Sequence, residues 1–334
     1  MTQPLVQSST TADSAARLVS TKHTLPVSPP FRLDLTASAL RRLPTNPVDV
    51  ITADGGYLHA VDAPHHPAIV RVHQASSTEL AVTIDAAPLD ESERQRILAL
   101  IARTLGVNRD LRPFYDASSA IPWLGPLAQR LRGLKPPRYR SLWEAFVNAV
   151  VYQQVSLHAA SAVVQRIVEA FGTRLESEGA HVYVFPSAER VLDANDGTLR
   201  AMGLSGGKLA TLRRAADAIS SGTVDAARIE ELPSSETAAL LRSIKGIGPW
   251  TASVILLRGL GRLDVFPMND SGVARNIALA AGGAAPDVDE VLDTLGAGRG
   301  MLYYHLLLAR LEARGEVAKP SVLRSSDIPE STPS

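Results

Sequence analysis

Cysteine is absent from all 334 residues. No disulfide can form, no thiolate set exists for zinc or an iron–sulfur cluster, and a cysteine nucleophile is excluded. Excess charge is missing as well: Lys plus Arg and Asp plus Glu each number 34, for a formal net charge of zero. A protein that holds nucleic acid by bulk electrostatics carries a marked positive excess. A polyanionic partner would therefore be held locally, through few phosphate contacts and with a shallow salt dependence. Long hydrophobic runs are also lacking. No segment is long enough to span a membrane, and the N-terminus has no continuous apolar core of the signal-peptide kind. A cytoplasmic protein without membrane association is the expectation. No internal repeat and no sign of an obligate oligomer were found, so a monomer is expected.

The 45% apolar content is that of an ordinary globular chain, and the length suffices for two domains. Residues 1–29 are rich in Ser, Thr, Ala and Pro, lack periodicity and read as a disordered tail. Phe31-Arg32-Leu33-Asp34-Leu35 alternates apolar and polar and predicts a strand, as do 70–73 and 80–85. Asp54-Gly55-Gly56 predicts a hairpin turn, and helices fit 37–43 and 91–105. Residues 30–112 thus read as an α+β domain built on an antiparallel sheet. Beyond it the strand signal fades, apart from an extended connector at 182–185. Residues 113–316 read as an all-α domain, with 317–334 as a loose tail. Arg130, Arg132, Lys135, Arg138 and Arg140 form a basic stretch with no acid among them, readable as a solvated run or as a DNA-facing patch.

Residues 241–270, LRSIKGIGPWTASVILLRGLGRLDVFPMND, carry the most information. Apolar residues at helical spacing over 238–244 resume over 251–257. Between them, Gly246 and Gly248 can take backbone angles closed to other residues and leave room for a close ligand. Pro249 suits the first turn of the second helix. The free amides at that helix start can hold an anion such as a phosphate oxygen. Ile247 is expected to point inward between the helices. The alternative is a tight helical connection that only packs.

The wider pattern resembles the helix–hairpin–helix DNA glycosylase superfamily, and within it the bacterial 3-methyladenine DNA glycosylase II family. The resemblance rests on Gly246-Ile247-Gly248-Pro249-Trp250-Thr251-Ala252, Leu257-Arg258-Gly259, Asp264-Val265-Phe266 and Asp270. Upstream, Tyr152-Gln153-Gln154-Val155-Ser156, Phe185-Pro186-Ser187, Met202-Gly203-Leu204-Ser205 and Lys208 continue it in order. It spans roughly residues 30 to 315. It implies a fold with an α+β antiparallel-sheet domain ahead of an all-α helix–hairpin–helix domain, and duplex DNA with damaged bases as partner. Asp270 matches the catalytic aspartate, and Gly246, Gly248 and Thr251 match phosphate-binding positions. Gln153 and Gln154 fall in the DNA-binding segment, Gln154 at the position of the side chain that fills the space left by a flipped base. Both glutamines can also be read as ordinary helix-terminal residues.

The resemblance also implies a monovalent cation, Na+ or K+, on the backbone carbonyls of Arg242, Ile244 and Ile247, with no other cofactor. Some relatives carry a four-cysteine cluster, which this chain cannot build. Trp250 occupies the position where strand-cleaving relatives place a lysine, and an indole forms no Schiff base. Trp250, Tyr152, Tyr303 and Tyr304 are the aromatic candidates for a base pocket, Tyr303 and Tyr304 reading equally well as helix core. Val254 and Leu307 stand where some members have aromatics. Asp270 also suits an N-cap for a helix over 271–280, Asp264 reads as structural, and His305 as packing.

The implied activity is excision of alkylated purines from duplex DNA in base excision repair, leaving an abasic site and an uncut strand. The alternatives are a non-catalytic binder of damaged DNA and a glycosylase for oxidised or deaminated bases.

Overall fold

The computed structural model describes residues 18–63, 66–177, 179–268, 271–283 and 286–320. Five strands, β1 (Val19–Pro26), β2 (Asp49–Ile51), β3 (Tyr57–Val61), β4 (Ala68–Gln74) and β5 (Glu79–Ala86), form an antiparallel sheet of order β1-β5-β4-β3-β2. The expected turn at residues 54–56 joins β2 to β3, with Gly55 N–H donating to the Thr52 carbonyl at 2.9 Å.

Two expectations fail in this region. The tail predicted over 1–29 contains β1, which pairs with β5 from Val19 opposite Ala86 to Pro26 opposite Glu79. β1 is an edge strand with most side chains exposed, so its backbone pairing leaves little hydrophobic pattern to read. Residues 1–17 lie outside the described residues. The strand predicted at 31–35 is instead the entry to helix Leu33–Arg41. Every residue from Leu33 to Leu40 is buried, because this helix lies between the sheet and the helical layer. Five alternating residues cannot distinguish a strand from a helix buried on all sides.

The helical part follows the caps. Ser141, Ser156, Ser187, Asn195 and Ser205 each accept a first-turn N–H and start helices Leu142–Val151, Leu157–Phe171, Ala188–Leu192, Asp196–Ala201 and Gly206–Ser220. Helices Arg112–Ser119 and Ala226–Glu231 also belong to this part. The connector at 182–185 is part of a β-hairpin, β6 (Thr173–Ser177) with β7 (Ala180–Val184). Val182 and Val184 pack with Leu58, Ala60 and Ile69 of the sheet. One apolar core runs from Val82 and Ile84 through Phe146 and Val150 to Ile247. Sheet and helices therefore share a core. At the C-terminal end, Ala318 N–H donates to Ser38 Oγ at 2.9 Å, while residues 321–334 lie outside the described residues.

The basic stretch 130–140 is not a set of free cations: most of its charges are engaged within the protein. Arg140 is buried against Asp49 and Glu144, Lys135 Nζ donates to the Arg109 carbonyl at 2.6 Å, and Arg138 Nη1 to the Leu260 carbonyl at 2.7 Å. Arg130 pairs with Glu312, and Arg132 lies over the Tyr115 ring. These cations hold elements together, a role that their clustering in sequence conceals.

Candidate functional site

Helix Ser234–Arg242 ends in the turn at residues 243–248, and helix Pro249–Val254 leaves it, closing in a π turn at Ile255–Gly259. Ile247 is buried between the two helices, as expected, and its N–H donates to the Ile244 carbonyl at 3.0 Å. The two glycines of the turn differ in what they require. Gly246 has φ +103°, and a Cβ there would lie 2.0 Å from Thr211 Oγ1. Gly248 has an ordinary φ of −88°, and a Cβ there would meet nothing within 4 Å. The expectation of a special backbone angle at both thus holds only for Gly246. The space in front of Gly248 is open.

That contrast gives a prediction. Gly246→Ala is expected to destabilise the fold by about 1–3 kcal/mol, from positive φ and the Thr211 clash. Gly248→Ala is expected to leave the melting temperature unchanged and weaken binding to duplex DNA about tenfold. Thermal melts and DNA titrations of both variants check this. Equal effects of the two on stability would contradict it.

Gln153 braces the hairpin. Its Nε2 donates to the Gly246 carbonyl at 3.0 Å and to Thr251 Oγ1 at 2.8 Å. Thr251 is buried, and its hydroxyl is engaged by Gln153. Gln154 is exposed and sits at φ +56°, one of only two non-glycine residues with positive φ among those described. Such a backbone angle is uncommon outside glycine and persists only where the surrounding structure holds it. Lys208 Nζ donates to the Val151 carbonyl at 2.8 Å and so ties down the C-terminal end of helix Leu142–Val151 behind this loop.

Hairpin and glutamine loop open onto one cavity of about 880 Å³. Gln153, Gln154, Gly246, Gly248, Thr251, Trp250, Tyr152 and Tyr303 all line it, as do Val254 and Leu307. Tyr304 does not. It is fully buried, and its hydroxyl donates to the Pro137 carbonyl at 2.8 Å, so the expected pocket role is corrected to core. On a helix with one face in the core and one on the cavity, adjacent residues point apart, which separates Tyr303 from Tyr304. His305 is core as expected, with burial pulling its pKa down to about 4. Asp264 Oδ1 accepts from Ser234 Oγ at 2.9 Å and is not among the cavity residues. Lys245 is exposed and also not among them.

Asp270 lies outside the described residues. The helix after it, Ser271–Ala280, begins where expected, and its Val273, Arg275 and Asn276 line the cavity. Three further cavity residues, Arg42, Leu306 and Arg310, were not anticipated. Arg42 comes from the sheet domain, at the end of helix Leu33–Arg41, and no local pattern marks it. That helix end is held by Arg258, whose Nη2 donates to the carbonyls of Ala39 at 3.1 Å and Leu40 at 3.4 Å. Arg258 of the resembled motif is thus a structural clamp from hairpin to sheet domain.

Comparison with known proteins agrees with this geometry. Residues 147–295 match the HhH-GPD family, described as the HhH-GPD superfamily base excision DNA repair protein. A DNA-3-methyladenine glycosylase of Bacillus subtilis is 28% identical over 67% of this chain and 75% of its own length. A 3-methyladenine DNA-glycosylase structure from Archaeoglobus fulgidus superposes with a TM-score of 0.68 at 25% identity, covering 86% of this chain and 97% of that one. The 8-oxoguanine glycosylase/lyase of Clostridium acetobutylicum, solved with DNA, shares the fold at a TM-score of 0.67 and 17% identity over 89% of this chain and 98% of its own. Residues 147–295 are a helix–hairpin–helix domain of the base-excision superfamily, and the chain around them resembles the 3-methyladenine glycosylases.

Proposed function

We propose, starting from that domain, that the protein is a monofunctional DNA glycosylase that flips alkylated purines out of duplex DNA and excises them in base excision repair. One observation carries the reading. A single cavity gathers the hairpin glycines, the Gln154 loop, three aromatic side chains and the helix that follows Asp270. Its volume of about 880 Å³ falls among small-molecule sites, typically about 300–1,000 Å³. That is ample for one extruded nucleotide, since a glycosylase must take its base out of the stack.

Each part then has a task. The backbone at Gly246, Gly248 and Thr251 anchors the phosphates, and Gln154 enters the space the base leaves. Trp250, Tyr152 and Tyr303 present π faces to an electron-poor purine. The bond from C1′ to the base nitrogen breaks with its electron pair going to the base. The Asp270 carboxylate stabilises the oxocarbenium-like sugar and orients the water that adds to C1′. A base already carrying positive charge leaves as a neutral molecule, so one carboxylate is enough.

A monovalent cation fits the turn. Helix Ser234–Arg242 ends there, so its last carbonyls lack helical partners, and the Ile244 carbonyl keeps a lone pair beyond its bond from Ile247. On Arg242, Ile244 and Ile247 it would stiffen the phosphate anchor and take no part in bond cleavage.

No lysine lines the cavity among the described residues, which supports base release without strand cleavage. Borohydride treatment during turnover is accordingly expected to trap no covalent protein–DNA complex. A trapped complex would show an amine attacking the sugar and overturn the monofunctional assignment.

A further inference from the structure

Arg42 is an unusual wall for a pocket of this kind. It is 5% exposed, and its guanidinium lies over the Tyr152 ring, 4.2 Å from the centroid. Nη2 donates to the Tyr303 hydroxyl at 3.3 Å, but Nε and Nη1 make no hydrogen bond. No carboxylate pairs with it among the described residues. The backbone is unusual too. Arg42 has φ 63° and ψ −70°, and Leu43 N–H donates to the Arg41 carbonyl at 2.8 Å. This is a γ-turn of the rare, strained hand, centred on a non-glycine residue. The sheet domain, clamped by Arg258, thus holds a partly unsatisfied cation against two of the aromatic side chains that would receive the base.

We propose that Arg42 is a specificity-determining residue that reads the flipped base. With Tyr152 and Tyr303 fixing its plane, it donates to an acceptor atom, a carbonyl oxygen or ring nitrogen, on the base edge. The assignment rests on the glycosylase reading and narrows its substrate class. A formally cationic alkylpurine leaves as a neutral molecule and gains nothing from a donor cation on its edge. A modified purine that is uncharged before cleavage, such as hypoxanthine or ethenoadenine, takes the bonding pair as negative charge. A cationic donor on its edge stabilises that charge, and the departing base then gains a proton from water while hydroxide equivalents close C1′. Arg42 therefore shifts the site towards neutral modified purines.

The test is a ratio of single-turnover rates on two duplexes, one carrying hypoxanthine and one carrying 7-methylguanine, measured with the same full-length preparation. A ratio cancels the folded fraction, so a variant that is partly misfolded still reports. Arg42→Met, similar in length and uncharged, is expected to lower the hypoxanthine to 7-methylguanine ratio about tenfold or more. Arg42→Lys, which restores a charged donor, is expected to recover part of it. An unchanged ratio in Arg42→Met, whatever the separate rates do, overturns the assignment. Wild-type protein that releases 7-methylguanine but no hypoxanthine overturns it too and leaves the glycosylase reading standing. Wild-type protein that releases neither base refutes the glycosylase reading itself.

Discussion

Arg140→Met is expected to lower the unfolding free energy by about 3–5 kcal/mol at neutral pH. Arg140 is buried between the sheet domain and helix Leu142–Val151. Its guanidinium donates to Asp49 at 2.5 Å and to Glu144 through Nε at 2.9 Å and through Nη2, and its backbone N–H donates to Glu144 at 3.1 Å. Asp49 also accepts from the Tyr57 hydroxyl at 2.8 Å. Burial pushes both carboxyl groups up. For Asp49 the guanidinium more than offsets this and holds it below the usual carboxylate range, whereas Glu144 stays raised. Without Arg140 two buried carboxylates face each other without a cation.

The pH dependence has a definite sign. In the wild type the stability contributed by Asp49 is present above its unfolded pKa and lost as pH falls through its depressed folded value. In the variant both groups have raised folded values, so their cost is relieved as pH falls and they protonate. The stability gap between the two proteins should therefore narrow between pH 7.5 and pH 5. Urea unfolding at both pH values measures it. A gap below about 1 kcal/mol, or one that does not change with pH, would show that the cluster is not what joins the two layers.

Asp270→Asn is expected to slow base release by a factor on the order of 10² to 10⁴, with duplex affinity held within a few-fold. Asparagine keeps the shape but removes the charge that the proposed mechanism sets against the developing sugar cation. Folding and DNA binding should survive, so the loss should fall on the chemical step alone. Single-turnover release and a DNA titration of the same preparation separate the two. Release at the wild-type rate would move the carboxylate role elsewhere. Joint loss of binding and release would mean that Asp270 shapes the loop rather than the reaction.

The sequence was most legible where a residue acts through its own neighbourhood. Cap residues such as Ser141, Ser156 and Ser205 announce helices that begin where they stand. The Gly246 turn could be read because positive φ and a flanking Pro249 are local requirements. Legibility failed where the determining partner is distant in the chain. β1 is held by backbone pairing to β5, and the helix Leu33–Arg41 looks like a strand because its start alternates apolar and polar while both kinds of residue are buried. The basic stretch 130–140 was ambiguous because Asp49 and Glu312, which pair with Arg140 and Arg130, are far away in sequence. Tyr303 and Tyr304 could be told apart only once the helix had a core side and a cavity side. Arg42 was invisible for the same reason. Its role depends on Tyr152 and Tyr303 from the other end of the fold.

The most direct test of the account is base release from methylated duplex DNA by the purified protein. Freed bases are separated chromatographically, and the strand is examined before and after alkali. The account predicts free methylpurine, a strand intact as isolated, and breaks that appear only after alkaline treatment. Intact protein that binds the duplex but frees no base would contradict it and leave a damaged-DNA binder built on the same hairpin.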